Sequence, residues 1–508
     1  MNIRFLSSLV TVVWLMHVAG CGGDNDLSLA ARSTQTLTVA RTDAGSTPFI
    51  AFVSLVGDGL DDVSSYRYTI APRPGAVAAP VAVSYLRAAM ESRGYLAAGR
   101  NTASLPVFGL YAGGFNQVRL SLQFVDGSVR DIDLEMTTPA YTDPDNVYTQ
   151  PTVVRKAASA IGLGFSYIFL KSALSGPVIV DIDGAVRWVG PAGLNAYSSA
   201  FEADGFIVGA TNVASFSRLR LDGLQADPVV LQAPSFTAFH HNISPGKNGW
   251  LGEFDAVTAG VPNIESIIAE FDAMGNVVGS WDFAEIIAAY MRSQGDDPSA
   301  FVRPGIDWFH MNAAVYDPRD DTFVVSSREN FVAKIARRTG ELLWLLGDPT
   351  KYWHSFPSLR GKALQLGAGG FYPVGQHAVS ITRDGLLMLF DNGLASTNQP
   401  AGVPIGESRT YSAVSAFAID AANRSARPVW RFEYGRSILS DICSSASETR
   451  SGAYLVSYAA ADSRRAMRLV GLDAERQVVF DLQYRNPSPC RSGWNAEPID
   501  LDRLIVPR

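Results

Sequence analysis

Five segments of the chain repeat one pattern: a short apolar strand, a turn rich in Asp, Gly or Asn, a second strand, and an aromatic residue at its end. They run from Val178 to Trp188, Ile268 to Trp281, Val332 to Trp344, Phe417 to Trp430 and Leu469 to Phe480. A unit this small cannot bury both faces of its own sheet, so several must stack; stacked four-stranded units of about 40 to 50 residues make a β-propeller. The roughly 360 residues that carry the pattern allow six or seven blades, and six is the preferred count. Helix signals are nearly confined to Phe283 to Gln294, and hydrophobic residues are 47% against 18% charged. The chain therefore reads as all-β, with enough apolar surface for a core and too little charge for disorder.

The N-terminal part differs. Arg4 precedes an apolar stretch, Phe5 to Val18, too short to cross a hydrocarbon core of ~30 Å, and Val18-Ala19-Gly20-Cys21 follows. Small residues before a cysteine resemble the bacterial lipoprotein cleavage box. Residues 1–20 are then a signal peptide and Cys21 the lipidated first residue of a periplasmic protein. It would be held at a bacterial membrane, the outer one by preference, by its lipid anchor only. Residues 21–45, polar and small, read as a tether. Residues 46–145 read as a small β-sandwich-like domain: an early strand from Pro48 to Val56, a helical stretch from Ala82 to Leu96, and a hairpin from Val118 to Met136 about the turn Asp126-Gly127. Pro139 to Pro151 is the expected boundary, and residues 150–508 the propeller. In an oxidising compartment Cys443 and Cys490 either form a disulfide closing a long loop, a gain of roughly 4 kcal/mol, or stay as two buried thiols. A net charge of -7 without a basic block excludes nucleic acid as a partner. Three cysteines without CxxC spacing argue against a structural metal site.

The histidines fall in register with the repeat. His241, His310 and His377 each open a strand that turns back at Lys247-Asn248-Gly249, at Pro318 to Asp321 and at Arg383-Asp384-Gly385. Folding each hairpin about its turn sets Asp255 opposite His241, Arg328 opposite His310 and Asp391 opposite His377. The first strand of a propeller blade lines the axis, so these residues converge at one mouth of the channel. Strand alternation admits only one of His240 and His241, and His241 is the choice. Three histidines suit zinc, but Arg328 beside them disfavours a divalent ion, and no metal is expected. Imidazole serves as nucleophile and as proton carrier, and Arg offers a fork for the oxygens of an anion. The set suits transfer of a sulfuryl or phosphoryl group. The chain has neither a GxxxxGK[ST] loop for a nucleotide donor nor a GxSxG elbow for acyl transfer.

The segments His240-His-Asn-Ile-Ser-Pro-Gly-Lys-Asn-Gly249, Asp307-Trp-Phe-His-Met-Asn312, Val324-Val-Ser-Ser-Arg328, Trp344-Leu-Leu-Gly-Asp-Pro349, Gly375-Gln-His377 and Phe390-Asp-Asn-Gly393 resemble those of the bacterial arylsulfate sulfotransferases. The resemblance extends to Leu110-Tyr-Ala-Gly-Gly-Phe-Asn116 and the hairpin after it. It implies a periplasmic six-bladed propeller, a homodimer, that moves a sulfuryl group from a phenolic sulfate ester to an acceptor phenol. It implies no nucleotide donor or other cofactor, and a ping-pong route through a sulfohistidine. Carried over by motif, His377 is the nucleophile, with His310, His241 and Arg328 in support. To this the register adds the expectation that Asp391 accepts one ring N–H of His377, with Arg328 holding the sulfuryl oxygens by its bidentate fork. One departure is Glu329-Asn330, where family members often carry a His after the arginine; Glu329 adds negative charge near an anionic substrate. His354, in an insertion with Lys351, Tyr352 and Trp353, belongs to a lid or, by preference, a surface loop. Two other readings stay open: a non-catalytic propeller binding an anionic or aromatic ligand, and a metal-assisted ester hydrolase.

Overall fold

The computed structural model describes residues 37–96, 99 and 101–508. The expected signal peptide, Cys21 and the first part of the tether lie outside the described residues. From Tyr167 onward the chain builds six consecutive sheets whose main strands are antiparallel and in chain order, the blades of a propeller; Gln365–Leu366 adds a short parallel strand outside the fifth. Blade 1 is Tyr167–Leu170, Val178–Asp181 and Val186–Val189; blade 2 runs from Ser198–Glu202 to Val229–Val230. Blade 3 is Phe236–Pro245, Trp250–Thr258, Val261–Phe271 and Val277–Asp282, and blade 4 is Met311–Asp317, Thr322–Ser327, Val332–Ala336 and Leu342–Leu346. Blade 5 is His377–Ile381, Leu387–Asp391, Ala413–Asp420 and Ser425–Phe432, and blade 6 is Ser445–Glu448, Tyr454–Ala460, Ala466–Leu472 and Val478–Arg485.

The ring closes twice. Ala496–Ile499, near the C-terminus, is the innermost strand of blade 1, and Thr152–Arg155 pairs along the outer strand of blade 6. First strands of successive blades pack on one another, which puts them around the axis. All five repeated segments are the outer hairpins of blades. Their Asp residues act as turn caps: Asp181 Oδ1 accepts the N–H groups of Asp183 and Ala185, and Asp272 Oδ1 those of Met274 and Asn276. A disulfide joins Cys443 to Cys490 across a Cα–Cα distance of 6.0 Å, tying the entry to blade 6 to the segment before the closing strand.

The N-terminal domain has two sheets, one of Leu37–Ala44, Ile50–Gly57 and Thr102–Phe108, the other of Val63–Ile70, Val81–Leu86, Gly114–Phe124, Val129–Thr138 and the C-terminal Leu504–Val506. Gln123 pairs with Val129 around the Asp126-Gly127 turn, where Gly127 takes φ 84° at no steric cost. Two expectations need correction. The expected tether extends to residue 45, but Leu37–Ala44 is an edge strand; only Leu37 in it is buried, so it shows no apolar period. The helical stretch from Ala82 to Leu96 is half strand: Val81, Val83 and Tyr85 alternate into the core, and only Arg87–Ser92 is helical. This domain docks on blades 1 and 2 through one continuous apolar core and through buried Arg187, which donates to Gly109 O and pairs with Asp181 at 3.1 Å.

Candidate active site

The inner strands of blades 3, 4 and 5 each break register at the same mouth of the channel. In blade 3, Ile243 faces Gly252 but His240 faces Glu253, so His241 and Asn242 bulge out. In blade 4, Met311 faces Ser327 and Ala313 faces Ser326; just before them the N–H of Arg328 donates to His310 O at 3.0 Å. In blade 5, His377 faces Phe390 and Ser380 faces Met388. A bulge bends its strand and re-aims the side chains beside it. His241, His310 and Ala378 take left-handed φ of 44°, 48° and 51°. Such conformations cost on the order of 1–3 kcal/mol each in non-glycine residues. Their recurrence at, or one residue after, the channel-mouth histidine of three blades marks a built site.

The bulges move two of the expected neighbours. Asp255 faces Ala238 and accepts the N–H of Glu265 at 2.9 Å, away from His241. Asp391 does not orient His377: its buried carboxylate accepts the N–H of Val374 at 2.9 Å and pairs with Arg409 and, at 3.0 Å, with Arg431. The three histidines nonetheless meet. Ring centroids lie 5.1 Å apart for His241 and His310, 6.4 Å for His241 and His377, and 6.2 Å for His310 and His377. Tyr197 and Trp494, stacked at 5.1 Å, wall the His241 side at 5.6 and 5.5 Å. His240 sits behind His241, its Nδ1 3.2 Å from His241 Nδ1 and 3.8 Å from buried Glu253.

His377 has its tautomer set by Asn392. The amide nitrogen of Asn392 donates to Ser440 O at 2.7 Å and Cys443 O at 2.8 Å, so its oxygen must face the histidine. His377 Nδ1 lies 2.8 Å from that oxygen and 3.1 Å from Gly375 O. Both partners only accept, so Nδ1 carries the hydrogen and Nε2 keeps a lone pair. Burial, then the positive charges of His310 and Arg328, pull the His377 pKa down to about 3. The preceding Gln376 is clamped by blade 4, its carbonyl accepting from Asn312 Nδ2 at 2.8 Å and its side chain donating to Ser327 O at 2.5 Å.

His310 meets the opposite environment. Its Nδ1 lies 2.6 Å from Asp307 Oδ2 and 2.8 Å from Glu265 Oε2. Burial works against its charge, but Glu265 and Asp307 together outweigh it and push the pKa up to about 9. Burial opposes charge on Glu265 too, and His310 and His241 reverse it, holding that carboxyl well below its usual range. Burial keeps His241 neutral, far below an ordinary histidine, although Glu265 opposes this.

Arg328 does not present its whole fork to the channel. Its Nε and Nη2 bond Glu329 at 3.1 and 2.6 Å, and Nη2 also donates to Thr397 at 2.8 Å. Only Nη1 is left without a hydrogen bond among the described residues. Lys351, 3% exposed, turns its ammonium to the carbonyls of Arg328 and Glu329 at 3.4 and 3.2 Å. Trp353 is buried, while half-buried His354 stacks edge-on to it at 5.1 Å, on a short 3-10 turn apart from the cluster.

The profile of the Arylsulfotransferase (ASST) family matches residues 152–495, from the strand outside blade 6 to the start of the closing strand. The chain belongs to the arylsulfotransferase family. Arylsulfate sulfotransferase AssT of Escherichia coli O6:H1 is 26% identical over 219 residues, 35% of this chain and 36% of that relative. The protein of the same name from Lelliottia amnigena is 28% identical over 141 residues, 25% of this chain and 23% of that one. The matched stretches thus span well under half of either relative. The β-propeller domain of Myceliophteria thermophila Cps50 (Swd1) is similar at a TM-score of 0.34 and 10% identity, covering 65% of this chain and 88% of that chain.

Within this family member, sequence reasoning missed Asn392, Glu265, Asp307, Tyr197 and Trp494. Asp307 was within reach, because it precedes His310 by three residues in the Asp-Trp-Phe-His segment. Asn392 stood one place from the residue chosen. Glu265 belongs to a third strand of another blade and carries a left-handed φ of 46°, which no local pattern announces.

Proposed function

We propose that the cluster transfers a sulfuryl group from a phenolic sulfate ester to an acceptor phenol, by a ping-pong route through a sulfohistidine at His377. The observation that carries this is the contrast behind two rings 6.2 Å apart: an amide oxygen and a peptide carbonyl at His377 Nδ1, which leave Nε2 its lone pair, and two carboxylates at His310 Nδ1, which favour the charged ring. In the first half, the Nε2 lone pair of His377 forms a bond to sulfur, the S–O bond to the ring breaks, and the departing phenolate takes the proton of His310. The sulfo-imidazolium so formed is neutral overall, and His310 is left neutral. In the second half, the acceptor phenol gives its proton to His310, its oxygen bonds sulfur, and the N–S bond breaks. One proton is lent and returned. A donor acid near pKa 9 matches a phenol at about 10, the condition under which acid–base catalysis is most effective.

Arg328 supports the sulfuryl oxygens through its Nη1 end, and its charge, felt at His377, favours an anion there. His241, the third corner of the triangle and buried, shields the other two rings on one side. A metal-assisted hydrolase is the weaker reading, since three histidine ligand atoms do lie within 4.8 Å of one another. But the two carboxylates at His310 Nδ1 favour the charged ring, and a metal would have to displace its second proton. We also place the protein outside the cytoplasm, tethered at Cys21, which the disulfide supports; no helix among the described residues is long and apolar enough to cross a membrane. The test is release of chromophore from a chromogenic aryl sulfate by metal-stripped protein. Release that depends on added phenol is expected; release only with added zinc and without phenol would favour the hydrolase.

A further inference from the structure

Glu329 is fully buried, and its carboxylate joins both halves of the channel mouth. Oε1 takes Arg328 from Nε and Nη2, and Thr397 Oγ1 at 3.1 Å; Oε2 accepts the backbone N–H groups of Thr397 and Asn398, both at 2.9 Å. Its own carbonyl accepts from Ser396 Oγ at 2.5 Å. The connection between the second and third strands of blade 5 is thereby fastened at 396–398. Asn398 then reaches the carboxylate of Asp307 at 3.0 Å, which in turn holds His310. Arg328 and His310 are therefore both placed with the help of one carboxylate.

The charges have a pattern. His310 is matched by Glu265 and Asp307, Arg328 by Glu329, and the Lys351 ammonium faces two carbonyls and is hidden from the channel. Among the described residues, the charges of His310 and Arg328 are thus each already met by carboxylates. A sulfuryl group meets the Nη1 end of Arg328 and the His310 proton, whereas a second anionic group on the donor ring would find those two charges already matched by Glu329, Glu265 and Asp307. Building on the sulfuryl-transfer reading above, we propose that Glu329 is a positioning residue that fixes Arg328 and, by cancelling its charge, restricts the site to aryl sulfates with no negative charge beyond the sulfuryl group.

The test compares a nitrophenyl sulfate with a nitrophenyl sulfate of matched leaving ability that carries a ring carboxylate, at low ionic strength. For the natural protein kcat/KM is expected to be about tenfold lower with the carboxylated donor, a gap that narrows with added salt. In Glu329→Gln the gap narrows to about twofold; KM for the plain donor falls because Arg328 is uncompensated, and kcat falls about tenfold because Arg328 has lost its anchor. Glu329→Asp keeps the gap with an intermediate kcat. Thr397→Val, which removes an anchor but no charge, lowers kcat a few-fold and leaves the gap in place. A merely structural role would lower kcat in every variant and shift the donor preference in none. Calorimetric binding of the matching pair of aryl sulfonates, which cannot transfer, should rank the same way without turnover. Equal use of both donors by the natural protein, or an unchanged gap in Glu329→Gln, overturns the proposal; where Glu329→Gln does not fold, the natural protein's gap and its salt dependence decide. Absence of turnover with the binding preference intact would sink the transfer reading and leave the charge filter standing.

Discussion

His310 and His377 stand at matching places in blades 4 and 5, His377 buried and His310 half-buried, yet one is pushed up to about 9 and the other down to about 3. Burial acts on both in the same direction. What differs is the acceptor at Nδ1: two carboxylates for His310, an amide and a peptide carbonyl for His377. At His377 both acceptors are neutral, so they fix the tautomer without favouring the imidazolium; the carboxylates of His310 stabilise its charge as well. In the proposed mechanism, acid and nucleophile thus arise from one residue type at one position of a repeated unit, with the choice of role made by what stands behind the ring.

The contrast breaks most completely at Asn392. Asn392→Ala leaves His377 free to rotate and to place its proton on Nε2, and turnover should fall about 10² to 10³-fold. Asn392→Asp is sharper. A carboxylate behind His377 stabilises the imidazolium, so the pKa rises from about 3. Activity then acquires an acid limb, lost as pH falls through the new pKa, where the natural protein is flat; a profile of kcat/KM between pH 4 and 8 reads it. On the other side, Glu265→Gln removes one of the two carboxylates of His310. The natural kcat/KM for donor should hold below and decline above pH 9, because the acid is protonated only below its pKa. In Glu265→Gln that decline moves to lower pH, and donors with poor leaving phenols suffer most, by about 10 to 100-fold.

Smaller effects test what lies behind the pair. Asp391→Asn should leave the pH profile in place while costing about 3 kcal/mol of stability in chemical denaturation, since Arg409 and Arg431 lose a buried partner. A shifted pH profile in that variant would restore Asp391 as the orienting group. Cys443→Ser should lower stability by about 4 kcal/mol by opening the loop to Cys490. Its activity should drop only slightly, because the carbonyl that holds Asn392 belongs to the backbone.

The blades were legible because each hairpin must bury alternate residues and cap its own turn, and both demands leave residues such as Asp181 and Asp272 in the sequence. The convergence of His241, His310 and His377 was legible for the same reason, as repeat register. What escaped was a slip of one or two residues of register. The blade 5 bulge between His377 and Ser380 exchanges Asp391 for Asn392 as the partner, and a two-residue bulge in blade 3 removes Asp255 from His241. Such bulges rest on left-handed His241, His310 and Ala378 rather than on glycine, so no turn residue betrays them. The strand Leu37–Ala44 escaped because it is an exposed edge, paired by its backbone alone.

The central claim is that His377 takes the sulfuryl group onto its free nitrogen while His310 supplies the proton. Intact mass of the protein mixed with an aryl sulfate, without acceptor, tests it most directly. A single adduct of about 80 Da is expected, placed on His377 by fragmentation, discharged by added phenol and absent in His377→Ala. Sustained phenol-dependent turnover with no adduct, or an adduct that persists in His377→Ala, would contradict it.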